Sequence, residues 1–196
     1  ASCQEIIRRY YRALCDQRQG RASADIACEL ELLMNQVGVT VEDRPVVAAA
    51  LRRQEETGAP AASLQLPDGQ LITGKTSNLL GASAALLLNA LKALGGIEHG
   101  MHVISPIVIE PIQRMKINYL GNHNPRLHTD EILIALSISA ATNPTAERVL
   151  SQIPKLRGCE AHSTVILSQV DDNTFRKLGI NLTCEPSYQT KKLYHK

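Results

Sequence analysis

Tryptophan is absent from this chain, and one phenylalanine with five tyrosines leaves aromatics at only 3% of its 196 residues. So few flat rings cannot stack a run of bases, which argues against single-stranded nucleic acid as a ligand. A net charge of +2 argues the same way, because no basic excess exists to neutralise a phosphate backbone. Long apolar runs are missing too. The longest, Leu79 to Leu94, falls short of the ~20 residues that span a bilayer, and no secretory leader pattern is visible, so no membrane role is expected.

Cysteine is sparse in a telling way. Cys3, Cys15, Cys28, Cys159 and Cys184 are odd in number, widely spaced and contain no Cys-x-x-Cys. That pattern fits reduced thiols in a cytoplasmic protein and gives no structural zinc set. The chain also lacks an initiator Met and begins almost inside a helix, so it reads as a fragment of something longer.

Aliphatic residues are what the chain does have. Hydrophobic residues make up 44%, enough for a core of Leu, Ile, Val and Ala. The stretch from Leu64 to Leu94 organises it. Two short alternating segments, Leu64–Leu66 and Leu71–Thr73, flank Pro67-Asp68-Gly69, and Asp-Gly in that setting predicts a hairpin. The second segment passes through Gly74-Lys75-Thr76-Ser77 into a helix expected over Asn78–Leu94, with Thr76 or Ser77 as its cap and Gly95-Gly96 as its stop. That helix carries few polar residues, Ser83, Asn89 and Lys92 among them, so it must be covered on most sides.

Before the hairpin the periodicity predicts three helices. Ile6, Ile7, Tyr10, Tyr11 and Leu14 form the first stripe, with Arg8, Arg9 and Arg12 read as a solvated face. Ile26, Leu30, Leu33 and Val37 form the second. A third follows the Thr40–Asp43 capping pattern and Pro45, and ends near Thr57 at Gly58-Ala59-Pro60. After the central helix we expect a buried strand over Met101–Ser105 and a helix from Pro106 burying Ile107, Val108, Ile112, Met115 and Ile117. A further helix should run from Glu131 to Ala141, and another should be capped by Asn143. The chain then reads as a strand over Ser163–Leu167, a short helix capped by Asp171, and a closing strand over Ile180–Cys184. This order predicts an α/β fold: a mixed sheet in a three-layer, cytidine-deaminase-like subdomain over 58–196, preceded by a helical subdomain over 1–57.

The chemistry on offer is modest. Zinc deaminases place His-x-Glu at the helix after the hairpin and Pro-Cys-x-x-Cys at the next. Here those places read Lys75-Thr76-Ser77 and Pro106–Ile109, so that metal chemistry is rejected and no zinc is expected. Gly69 and Gly74-Lys75-Thr76 match the spacing of a phosphate loop, yet Gln70–Thr73 reads as strand, so a simple anion at the helix mouth is the preferred reading. His128 and Glu131 share one helix face with Arg126 beside them, which suits a carboxylate or phosphate clamp better than a metal. His162 and Ser163 suggest a triad, but neighbours on a strand point to opposite faces. The candidate ligand-binding residues are therefore Thr73, Gly74, Lys75, Thr76, Ser77, Ser105, Asn124, Arg126, His128, Glu131, His162 and Ser163.

Several stretches taken together resemble a known family. Gln4–Tyr11, Glu31–Asn35, Leu71–Lys75, Asn124–His128, Glu131–Leu136, Glu160–Thr164 and Arg176–Asn181 are similar to the uncharacterised bacterial family called domain of unknown function eighteen forty-six. Members are longer, and this chain corresponds to their C-terminal part. Some carry an ATP-dependent peptidase or zinc-protease label, but this sequence has no His-Glu-x-x-His. The resemblance implies a Gly-rich phosphate segment in the absent N-terminal half, and a deaminase-like C-terminal subdomain. The expected function is a module binding an anionic or phosphate-bearing small molecule within a larger enzyme. The alternative is a structural or oligomerisation domain serving that absent half. Expected partners are copies of the chain itself and its own N-terminal half.

Overall fold

A computed structural model describes residues 2–189. Three helices come first: α1 (Ser2–Arg18), α2 (Ala24–Val37) and α3 (Pro45–Thr57). The hairpin β1 (Ala61–Gln65) and β2 (Leu71–Lys75) follows, then α4 (Ala82–Leu94), α5 (Pro106–Asn118), α6 (Thr129–Ala140) and α7 (Pro144–Leu150). The chain closes through β3 (Glu160–Ser163), α8 (Gln169–Lys177) and β4 (Asn181–Cys184). The described residues thus form an α/β fold on a four-stranded mixed sheet in the order β2-β1-β3-β4.

The hairpin forms where Asp-Gly predicted it. Leu64 faces Ile72 and Gln65 faces Leu71 in register. Gly69 takes φ +89°, a conformation that a Cβ would oppose, and the Asp68 carboxylate accepts from the Gln70 amide at 3.0 Å. Because β1 is antiparallel to both β2 and β3, while β3 and β4 run parallel, β2, β3 and β4 all point the same way. Their carboxyl ends lie on one side of the sheet, and that side will carry the site.

Period-two alternation sorts the strand residues onto two faces. Ala62, Leu64, Ala161 and Leu182 join the main apolar core with Leu86, Leu87, Leu91 and Phe175. Ser63, His162 and Thr183 alternate with them and are buried towards α1 and α3. The helix α3 packs along β1, β2 and β3, and the Ser63 hydroxyl donates to the Val46 carbonyl. The expected boundary at 57/58 therefore falls between a helix and the sheet it covers.

Gly74 has a packing role. A Cβ there would sit 2.2 Å from the Leu86 amide nitrogen, so only glycine lets β2 and α4 approach this closely.

Several expected details differ. Met101–Ser105 is bend and irregular chain, although Val103 and Ile104 are buried at 3% exposure each: apolar burial needs no strand. The helix expected from Asn78 begins at Ala82, with Gly81 as its N-cap. Residues 79–81 are held extended against Leu127: the Leu127 amide donates to the Leu79 carbonyl at 3.0 Å, and the Gly81 amide to the Leu127 carbonyl at 3.3 Å. Ser77 caps only the turn before it, accepting from the Leu79 and Leu80 amides.

The expected face of α5 holds in part: Val108 and Ile112 pack against the core. Ile107, Met115 and Ile117 are exposed, whereas Ile109 and Lys116 are buried. The Lys116 ammonium donates at 2.7 Å to both the Glu131 carboxylate and the Arg126 carbonyl, which satisfies its charge on the buried side of the helix. β3 spans Glu160–Ser163, earlier than expected, because its register with β1 pairs Gln65 with Glu160. Ser168, and not Asp171, caps α8. Arg8 is half-buried, bridging Glu5 and Glu160, so only Arg9 and Arg12 of that cluster are exposed.

Candidate functional site

Side chains after β2 and β3 converge on one cavity of about 330 Å³ beyond the carboxyl ends of the strands. A crevice there, where helices leave a sheet, is the usual ligand position in α/β proteins. Thr76 lies just after β2, and Gly81, Ala82 and Ser83 open α4. Val165 to Ser168 lead from β3 into α8, with Asp171 in its first turn. Asn124, Arg126 and His128 enter from the segment before α6.

Among the described residues no side chain caps α4, and its first amides have no intrahelical partner by helix geometry. Ser83 is 3% exposed and Thr76 is 7% exposed. Neither hydroxyl has a hydrogen-bond partner among the described residues. The residues are largely covered, yet neither hydroxyl is among the sealed and unsatisfied side-chain atoms of the described residues, so both open onto the cavity beside the uncapped helix start, where a ligand can reach them.

His128 enters this cavity in a fixed pose. Its Nδ1 lies 3.1 Å from Asp171 Oδ2, and its backbone amide donates to the Glu131 carboxylate at 2.8 Å. The Asp171 carboxylate is buried and fully engaged. Oδ1 accepts from the Thr129 amide at 2.9 Å and the Thr129 hydroxyl at 2.8 Å, and Oδ2 accepts from the Ser168 hydroxyl at 3.0 Å. Burial alone would raise the pKa of Asp171, but the bonds from His128 and Thr129 outweigh it and hold the carboxyl below its usual value. The same Asp171 bond raises the pKa of His128 against the opposing effects of burial and Lys116.

Four of the twelve expected residues line this cavity: Thr76, Asn124, Arg126 and His128. Asn124 acts on its own loop, accepting from the Arg126 amide at 3.1 Å. Arg126 Nε donates to the Ser77 carbonyl, which ties the 124–128 segment to the turn after β2. The other eight lie outside the cavity lining. Thr73, Gly74 and Lys75 belong to β2, with Lys75 exposed at its end, and Ser77 caps a turn. Ser105 caps α5, accepting from the Ile107 amide. Glu131 is engaged by Lys116 and by the His128 amide.

His162 and Ser163 lie on the sheet instead. His162 is 0% exposed, with Nδ1 2.8 Å from the Thr183 hydroxyl and Nε2 3.0 Å from the Glu185 carboxylate. Ser163 donates to the Val165 carbonyl at 2.8 Å. Both are satisfied within the core. A larger groove of about 630 Å³ runs between α1 and β4; four of its five arginines, Arg8, Arg9, Arg21 and Arg176, are paired within the protein, and the fifth, Arg12, is exposed on α1.

Residues 42–194 match a family described as "Domain of unknown function DUF1846, C-terminal". The chain belongs to this family. A "UPF0371 protein" of Corynebacterium glutamicum (strain R) is 54% identical over 196 residues, which is 100% of this chain and 40% of that relative. A UPF0371 protein of Corynebacterium efficiens is 53% identical, and one of Streptococcus pyogenes serotype M5 is 52% identical, both over the same shares. The chain therefore spans about 40% of the length of the curated relatives it matches.

The matched DUF1846 span begins just ahead of α3 and contains every cavity residue named above. Three of those residues escaped the sequence reading. Ser83 was visible only as a rare polar residue at the start of an apolar helix. Asp171 resembled a helix cap, and Ser168 is the cap itself. Their shared role depends on α6 and α8 meeting, and no local pattern reports that contact. Within the described residues no group of three metal-ligating side chains is gathered, and no helix is long and apolar enough to cross a membrane.

Proposed function

We propose that this domain binds a small anionic, phosphate-bearing ligand in the cavity beyond β2, β3 and β4, as part of a larger cytoplasmic enzyme. One observation carries the reading: the hydroxyls of Ser83 and Thr76, unclaimed among the described residues, line the cavity beside the uncapped start of α4. Helix-start amides favour negative charge, Arg126 and His128 line the same space, and two hydroxyls supply further donors. The hairpin-first order supports a cytidine-deaminase-like arrangement, with α4 and α8 bringing their first turns to one cavity. The zinc-ligand places expected at Lys75-Thr76-Ser77 and Pro106–Ile109 move to the first turns of α4 and α8, because α4 starts at Ala82 and α8, not α5, reaches the cavity. Ser83 and Ser168 stand there with Asp171, and no Cys or His.

Titration of the full-length protein with inorganic phosphate, followed by calorimetry, tests the reading. Saturable binding is expected, weakened about tenfold by Thr76→Val through the loss of one charge-assisted bond. Lys75→Ala should leave it unchanged, since Lys75 lies outside the cavity lining. No saturable binding, or equal affinity in Thr76→Val, would sink the proposal. The second reading, a docking or oligomerisation domain, draws support from the exposure of Ile107, Tyr119 and Leu120 on and just after α5. A ligand-free oligomer broken by Tyr119→Asp, with no phosphate binding, would favour it.

A further inference from the structure

The cavity assembles more than an anion's donors. Asp171 holds one nitrogen of His128, which leaves Nε2 as the ring nitrogen open to chemistry. Ser83, the second residue of α4, lines the same cavity with its hydroxyl unclaimed among the described residues. We propose that Ser83 is a nucleophile, served by His128 as general base and by Asp171 as positioning residue, that takes the phosphoryl group of a small phosphate ester. The proposal rests on the anion-binding reading, which it deepens by naming the substrate class and the reaction.

The logic is that of any activated hydroxyl. A serine is a weak nucleophile until a base removes its proton, and the base must be oriented by a third group. Here that third group is itself immobilised, since Thr129 and Ser168 saturate the Asp171 carboxylate and prevent it from turning away. The α4 amides beside Ser83 lie where the charge on the phosphoryl oxygens develops. Besides Asp171, the charged groups that bear on His128 are Lys116 and Glu131, and these two are paired with each other.

The step balances without a co-reactant beyond water. Ser83 Oγ forms a bond to phosphorus while the ester P–O bond breaks, and the Ser83 proton passes to His128 Nε2. The leaving alkoxide takes that proton and departs as an alcohol. Water then attacks the phosphoserine, giving its proton to His128, and Ser83 leaves with a proton as inorganic phosphate is released.

The test treats the full-length protein with diisopropyl fluorophosphate, a neutral probe that reports the nucleophile without needing the anion site. Ser83 Oγ displaces fluoride, and peptide mass spectrometry locates the adduct. Labelling at Ser83 is expected, absent in Ser83→Ala and slowed about 10²–10⁴-fold in His128→Ala, the usual range for a lost general base. Added imidazole should restore part of the His128→Ala rate, which a merely structural histidine would not allow. Asp171→Asn should move the pH profile of labelling to lower pH. Inorganic phosphate should protect the wild type. Saturable phosphate binding without Ser83 labelling overturns the nucleophile and leaves the anion reading standing. Labelling that phosphate does not slow overturns the substrate class, and labelling on Thr76 overturns the assignment of Ser83.

Discussion

Two histidines in this domain each meet a carboxylate, yet their surroundings differ. His128 borders a cavity, has one ring nitrogen held by Asp171, and is pushed towards its charged form chiefly by that bond. His162 is sealed under α1, has both nitrogens engaged by Thr183 and Glu185, packs edge-on to Tyr11 with ring centroids 4.8 Å apart, and is pushed towards its neutral form by burial. A carboxylate partner therefore does not by itself mark a functional histidine. What matters is whether the second nitrogen is already used and whether solvent or a ligand can reach it.

The same contrast holds for the layers around them. Beneath α1 and α3 lies a closed polar network: Arg44, 0% exposed, donates to Glu160, Thr183, Gln4 and the carbonyls of Ala161 and Asn181. Its donors all have acceptors, so it specifies the seating of the helices on the sheet and offers nothing to a ligand. Beyond the carboxyl ends of the strands the packing is left incomplete, and hydroxyls remain unclaimed.

The largest expected effect breaks the closed side. Glu160→Ala removes the carboxylate that Arg44 and Arg8 share and should cost about 3–5 kcal/mol in urea unfolding, because it leaves a buried guanidinium without its counter-charge. Phosphate affinity of the folded protein should be unchanged. An equally large loss of affinity would mean that the two regions are coupled and the comparison false.

A smaller effect is expected where the sheet meets α4. Gly74→Ala inserts a Cβ against the Leu86 backbone and should destabilise by about 1–3 kcal/mol, the usual range for overpacking. Since α4 carries Ser83, this variant should also weaken phosphate binding, whereas Glu160→Ala should not.

The mildest effect sharpens the contrast between the histidines through pH. His128 has its folded pKa raised, so its contribution to stability is present below the unfolded value of about 6.5 and is lost as pH rises through the folded value. His162 has its folded pKa lowered, so its contribution is present above about 6.5 and is lost as pH falls through the folded value. Unfolding measured from pH 5 to 8 should show a smaller alkaline loss in His128→Gln and a smaller acid loss in His162→Gln. Slopes of the same sign for both variants would contradict these assignments.

Much of the architecture was legible because it is local. Asp68-Gly69 between alternating segments gave the hairpin, Asn143-Pro144 gave the start of α7, and the apolar run before Gly95 gave the central helix, each from contacts within a few residues. Four of twelve candidate residues reached the cavity because Thr76, Asn124, Arg126 and His128 lie on segments that flank helix starts. Lys75 did not, since residues 79–81 pair with Leu127 and move the start of α4 on to Ala82.

The sequence by itself determined that the chain is α/β, that its core is aliphatic, and that a leading hairpin feeds a buried helix. These follow from periodicity, turn chemistry and composition, which act over a turn of helix or a pair of strands. Only the tertiary structure decided which polar residues became scaffold and which were left open. Arg44 meets Glu160 across 116 positions and His128 meets Asp171 across 43. Whether a buried polar group is satisfied depends on such distant partners, and their approach is set by how the helices pack on the sheet.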